Sequence, residues 1–472
     1  MPAQSQGGPL DAAESAVRQV RAAAEAVVSD VAEGRWIRAG RRAGWLGVSV
    51  GVVAAGAAAG LAVERLTAGR SMRRRARAEV DASAPFGSLR GAVRRVPAED
   101  GTLLHVELDG TGWPEEAGVP CARSAPAAAA AAAGAGQDAE SAVADVASAA
   151  ASALGRLRRL GRPAPQPPTV VFCHGYCLTQ DSWHFQRAAL REGLRLVFWD
   201  QRSHGRSERG RSYLAGEPAT IDQLGRDLKA VIDAVAPRGP LFLVGHSMGG
   251  MTVMALAAQY PELFRDRVCG VALIGTSAGN LAASTFGLPA YGAKMFQRMA
   301  PGVLKALGRQ PALVERGRRA SSELTAPLYR RYSFGSPDVD PAVARFAERM
   351  LDSTPIDVVA EYFPALAAHD KTGALAAFSG LPVLVLTGTA DLLTPPDHAR
   401  AIVDELPDAE LVLVPGAGHL VMLEQPDEVN TRLARLLARS ARGAALPAAV
   451  RELAAAAPES GAADPEGHRE TR

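Results

Sequence analysis

Lysine is nearly missing from this chain: four lysines stand against 48 arginines in 472 residues. Alanine is abundant throughout, and the pair of biases is that of a GC-rich genome. An arginine run or an alanine run therefore carries little functional information on its own. Cysteine is scarce too. Cys121, Cys173, Cys177 and Cys269 are too few and too scattered for a disulfide framework. Cys173 and Cys177 flank His174 and Gly175 without the neighbours a metal site requires, so they read as small apolar core residues. An excess of one charge is also lacking. The formal net charge of +2 gives no ground for nucleic acid or another polyanion as partner. The length exceeds what one ordinary domain needs, so a large core is within reach.

What is present is organised around Leu241–Gly250. Four apolar residues run into Gly245-His246-Ser247-Met248-Gly249, and a helix-forming run, Met251 to Gln259, follows. This is a buried strand, a G-x-S-x-G turn and a helix. A serine at the tip of such a turn is held in a strained conformation with φ expected to be positive. Its neighbours two residues away must be small, which explains Gly245 and Gly249. The helix behind it points free N–H groups toward developing negative charge.

The chain before this point is heterogeneous. Residues 1–42 are polar and Ala-rich, with helical character or none. Residues 43–63 contain 21 positions without a charge, long enough as a helix to cross about 31 Å of bilayer. Gly47/Gly51 and Gly56/Gly60 have the spacing of close helix pairing in lipid. The basic linker at 64–91 is richer in arginine than the flank before the segment, which favours a cytoplasmic catalytic domain. A single-pass anchor is the leading reading; a soluble or peripheral helix and an export signal stay open. A hairpin opens the globular part at 92–109, with Glu99-Asp100-Gly101 as its turn. Residues 110–167 form a Gly/Ala/Pro-rich low-complexity insertion.

From Thr169 the pattern becomes strand–helix–strand. Thr169 to Cys173, Leu194 to Trp199, Leu241 to Val244 and Val268 to Ile274 are apolar strands. Asp181 to Leu190 and the run after the Thr220/Gln223 capping box read as helices. The alternation implies a mostly parallel sheet flanked by helices on both faces, an α/β architecture. Strands then stop over 277–380, a helical segment punctuated by prolines, expected to cap the carboxyl edge of the sheet. The sheet resumes at Leu381 to Leu386 and Glu410 to Val414, and an amphipathic helix after Pro426 closes the domain. Core segments are thus placed at 168–276 and 381–441, and a loose tail at 442–472.

A serine hydroxyl needs a base, and the base an orienting carboxylate. Asp391 and His419 each stand just past the carboxyl end of a strand, on the same sheet edge as Ser247. The three are the candidate catalytic residues. The oxyanion formed on attack requires preset donors. The backbone N–H of Met248 is one, and that of Tyr176, in the loop Cys173-His174-Gly175-Tyr176-Cys177, is the other. His174 and Gly175 support that loop. The scheme needs no metal and no cofactor.

Five motifs carry a resemblance. H-G-Y-C at 174–177, D-Q-R-S-H-G-R-S at 200–207, G-H-S-M-G-G at 245–250, T-G-T-A-D at 387–391 and G-A-G-H at 416–419 stand in the order found in the α/β-hydrolase superfamily. From about 168 to 439 the chain resembles an α/β-hydrolase fold serine hydrolase with a helical cap inserted between the strands at 268–274 and 381–386. The resemblance implies the order Ser247, Asp391, His419. Epoxide hydrolases and haloalkane dehalogenases of this fold carry aspartate at the elbow, so Ser247 argues against both. The N-terminal segment and the 110–167 insertion depart from the pattern. Cleavage of a carboxylic ester, lipid esters included, is the favoured expectation. The same triad serving C–C bond or thioester hydrolysis or cofactor-free perhydrolysis stays open, as does a non-catalytic ligand sensor.

Overall fold

The computed structural model describes residues 85–114, 168–281, 326–441 and 446–456. The expected N-terminal segment at 1–42 and the apolar segment at 43–63 lie outside these residues. So do most of the basic linker, nearly all of the 110–167 insertion and the first half of the expected cap. Among the described residues no helix is long and apolar enough to cross a membrane.

Eight strands form one sheet: β1 (Ala92–Pro97), β2 (Leu103–Gly110), β3 (Thr169–Cys173), β4 (Arg195–Trp199), β5 (Leu241–His246), β6 (Val268–Ile274), β7 (Val383–Gly388) and β8 (Glu410–Val414). Their order across the sheet is β1-β2-β4-β3-β5-β6-β7-β8. The hairpin pairs antiparallel, and β2 joins β4 antiparallel. From β4 onward every pairing is parallel. All the carboxyl ends of β3 to β8 therefore meet at one edge.

Alternate residues of the central strands face opposite layers, as strand geometry requires. Val170, Phe172, Phe242, Val244, Ala272, Ile274, Leu384 and Leu386 join one core with the helices His184–Leu190, Pro341–Ser353 and Pro426–Ser440. Val171, Cys173, Leu241, Leu243, Val271, Leu273, Val383 and Val385 join the other with helices Ile221–Val235, Met248–Gln259 and Pro396–Glu405. Because both faces are covered, β3, β5 and β6 are buried along their whole length. That is why they read as unbroken apolar runs.

Three local expectations need correction. Thr220 accepts a hydrogen bond from the Gln223 N–H at 3.1 Å, but the Gln223 side chain donates to the Ser212 hydroxyl at 2.8 Å. Only half of the capping box forms. The last residues of the expected linker join the folded core: Phe86 packs on Phe185 and Phe346, with ring centroids 5.2 and 5.8 Å away, and Arg90 pairs with Asp181 at 2.8 Å. The expected tail contains a helix, Ala448–Ala455. Val450 and Leu446 are buried in the core beside helix Pro426–Ser440, so two apolar anchors hold a segment whose composition alone suggested none.

Among the described residues the insertion between β6 and β7 carries helices Pro341–Ser353 and Ile356–Ala367, joined by loops, and no strand. Helix Ile356–Ala367 sits against the loops that follow β3 and β4. The Tyr176 hydroxyl donates to the Val359 carbonyl, the Tyr362 hydroxyl to the Arg202 carbonyl at 3.4 Å, and Glu361 accepts from the Ser203 hydroxyl at 3.0 Å.

Candidate active site

β5 delivers Ser247 at φ +52° and ψ −119°, the strained elbow conformation expected of the turn. Helix Met248–Gln259 starts at the next residue. A Cβ on Gly249 would stand 2.1 Å from the Cys173 carbonyl oxygen, and one on Gly245 would stand 2.5 Å from the Gly249 oxygen. Neither approach tolerates a side chain. The Ser247 N–H donates to the Ile274 carbonyl at 3.0 Å, and the Thr276 hydroxyl donates to the Ser247 carbonyl at 2.7 Å, which tie the elbow to β6.

Asp391 follows β7 and is buried. Its Oδ1 accepts the N–H groups of Leu393 and Thr394 at 2.8 and 3.0 Å. Its Oδ2 accepts the Thr394 hydroxyl at 2.9 Å and stands 2.8 Å from His419 Nδ1. Burial by itself would raise this carboxyl. The His419 ring beside it and the Thr394 and His419 hydrogen bonds outweigh burial and hold it below the ordinary aspartate value. A carboxylate acceptor fixes the proton on Nδ1 and leaves Nε2 free to accept.

His419 follows β8 in a turn clamped by Glu424, whose carboxylate accepts the Gly418 N–H at 2.7 Å and the Gly335 and Ser336 N–H groups at 3.1 and 2.8 Å. The imidazole is buried beside His246, ring centroids 4.8 Å apart. The fold thus brings Asp391 and His419 into hydrogen-bond contact at the edge where β5 presents Ser247. Ser247 is half-buried, and among the described residues no hydrogen bond to its hydroxyl is formed. Such contacts commonly close only when substrate is bound.

The loop after β3 is braced by hydrogen bonds. His174 Nδ1 donates to the Gly175 carbonyl at 2.8 Å, while Nε2 accepts the Gln201 N–H at 2.9 Å. Burial pushes His174 down to about 3, so the ring is a neutral brace. A Cβ on Gly175 would come within 3.2 Å of Ser247 Cβ, which places this loop against the nucleophile. The N–H of Met248 opens a helix and has no intrahelical carbonyl to serve. Among the described residues no group of three or more metal-ligating side chains gathers.

Sequence reasoning missed Thr394 and Glu424. Thr394 lies three residues after Asp391, the spacing of a side chain capping its own turn, and could have been read. Glu424 gave no signal, because two of its partners, Gly335 and Ser336, come from a distant part of the insertion.

The chain belongs to the alpha/beta hydrolase fold family: the family profile matches residues 168–426, more than half of it. Among its relatives is the dihydrolipoyllysine-residue acetyltransferase component of the acetoin cleaving system of Pseudomonas putida, 27% identical over 57% of this chain and 63% of that protein's own length. Another is the sn-1-specific diacylglycerol lipase ABHD11 of Mus musculus, 25% identical over 57% of this chain and 81% of that one. A thermophilic esterase from Thermogutta terrifontis is similar in fold, with a TM-score of 0.50 and 23% identity, covering 75% of this chain and 99% of that one.

Proposed function

We propose that the protein is a serine hydrolase that cleaves a carboxylic ester through an acyl-enzyme on Ser247. The 2.8 Å contact between Asp391 Oδ2 and His419 Nδ1, at the sheet edge that presents a strained serine, carries this reading. His419 Nε2 takes the Ser247 proton as the hydroxyl oxygen attacks the ester carbonyl. The N–H groups of Met248 and Tyr176 hold the oxyanion. His419 then gives the proton to the departing alcohol, and water hydrolyses the acyl-enzyme by the same route in reverse. Asp391 keeps the proton on Nδ1 throughout.

Helix Ile356–Ala367 is, in this proposal, part of a cap that closes over the ester-binding cleft. The substrate is a small-molecule ester, with lipid esters included because a diacylglycerol lipase is among the relatives. A membrane anchor at 43–63, with the catalytic domain on the cytoplasmic side, rests on its 21 uncharged residues and arginine-rich flanks. Retention of the full chain in a carbonate-washed membrane fraction tests it, and release into the supernatant would remove it.

Nitrophenyl esters of rising acyl length, assayed beside a vinylogous diketone, test the reaction class. Ester turnover that vanishes in Ser247→Ala is expected. Turnover of the diketone alone would transfer the site to C–C bond hydrolysis.

A further inference from the structure

The residue inside the elbow has a contact of its own. His246 is completely buried, and its Nε2 lies 2.9 Å from the backbone carbonyl oxygen of His419. A carbonyl only accepts, so Nε2 carries the proton and Nδ1 bears the lone pair. That Nδ1 is buried without a hydrogen-bond partner. It lies 2.6 Å from where a Cβ on Gly175 would stand, directly beneath the loop that carries Tyr176. Trp183 bounds the ring on another side, nearly perpendicular to it at 87°, with centroids 6.4 Å apart. One imidazole therefore abuts the loop after β3 and joins the residue before Ser247 to the backbone of His419.

We propose that His246 is a positioning residue whose Nε2–H bond to the His419 carbonyl sets the separation between Ser247 and the His419 ring. The proposal rests on the reading of Ser247 and His419 as nucleophile and base. The bond spans two turns from different strands, and apart from it the elbow is tied to β6 rather than to the turn after β8. Without it, the two turns are linked only through the intervening strands and can shift relative to one another, and a misplacement of about 1 Å costs on the order of a hundredfold in rate. Neutrality matters as well. Burial, then the neighbouring His419, push His246 down to about 3, so no second cation opposes the charge that His419 gains during attack.

Two substitutions separate positioning from packing. His246→Phe keeps an aromatic ring and removes the donor. His246→Gln sets an amide N–H close to the place of Nε2. With a nitrophenyl ester as substrate, kcat in His246→Phe should fall roughly 10- to 100-fold with KM within about threefold, and His246→Gln should recover at least about tenfold of that loss. Should the Phe variant fail to fold, His246→Asn replaces it, because its shorter amide falls short of the His419 carbonyl; the same loss and the same recovery in Gln are expected. A kcat within about twofold of wild type in the donor-less variant would overturn the proposal. Equal impairment of the Gln and donor-less variants would also overturn it. Ser247→Ala, run in parallel, keeps the two readings apart: if it stays active the triad itself fails, and if it is dead while His246→Phe is unimpaired only the positioning role fails.

Discussion

Asp391→Asn isolates one proton. Oδ1 of Asp391 faces two backbone N–H donors, from Leu393 and Thr394, at 2.8 and 3.0 Å. An asparagine must place its carbonyl oxygen there, since an amide NH2 against two N–H groups would leave all of them unpaired. The NH2 then occupies the Oδ2 position and points at His419 Nδ1. It donates to Nδ1, so the ring proton moves to Nε2, and the imidazole can no longer accept from Ser247. A triad locked in that tautomer loses about 10^4 in kcat, or roughly 5 kcal/mol of transition-state stabilisation. Stability falls far less, by about 1.5–3 kcal/mol for the lost charge-assisted bond. Steady-state hydrolysis of a nitrophenyl ester, with urea unfolding on the same preparation, measures both. A loss of less than tenfold in kcat by a folded Asp391→Asn protein would refute the reasoning.

Two further outcomes follow from the packing. Glu361 is a buried residue of helix Ile356–Ala367, and burial pushes it up to about 7, against the pull of Arg209 and the Ser203 hydroxyl. Its folded value lies above the ordinary 4.5, so the native state keeps a proton that the unfolded chain has released. The Glu361 contribution to stability therefore falls as pH rises from about 4.5 to 7 and levels off above; calorimetry across that range should show this fall removed from the wild-type profile in Glu361→Gln, and identical profiles would contradict the assignment. Val450→Asp puts a charge at a site 1% exposed and should cost about 3 kcal/mol in urea unfolding; a change below about 0.5 kcal/mol would mean that helix Ala448–Ala455 does not hold to the core.

Legibility followed burial. Strands covered on both faces, such as Thr169–Cys173 and Val268–Ile274, announce themselves as apolar runs, and their bounds could be read to the residue. The positions of Ser247, Asp391 and His419 after three strands of one parallel sheet were readable for the same reason. Long-range polar pairing was not. Glu107 sits mid-strand in β2, yet is buried, because Arg187 meets it at 2.7 Å and His105 at 3.2 Å. Nothing near Glu107 in sequence signals the arginine 80 residues on. Val450 and Leu446 were lost in an Ala/Pro-rich stretch, since two anchors make no periodic pattern. The Glu424 clamp on Gly335 and Ser336 depends on a tertiary approach of the insertion that no local spacing encodes.

Mass spectrometry after treatment with a fluorophosphonate reports on the nucleophile itself. The account predicts one phosphonyl group per chain, on the peptide that carries Ser247. An adduct mapped to any other residue, or a folded and unmodified protein, would contradict it.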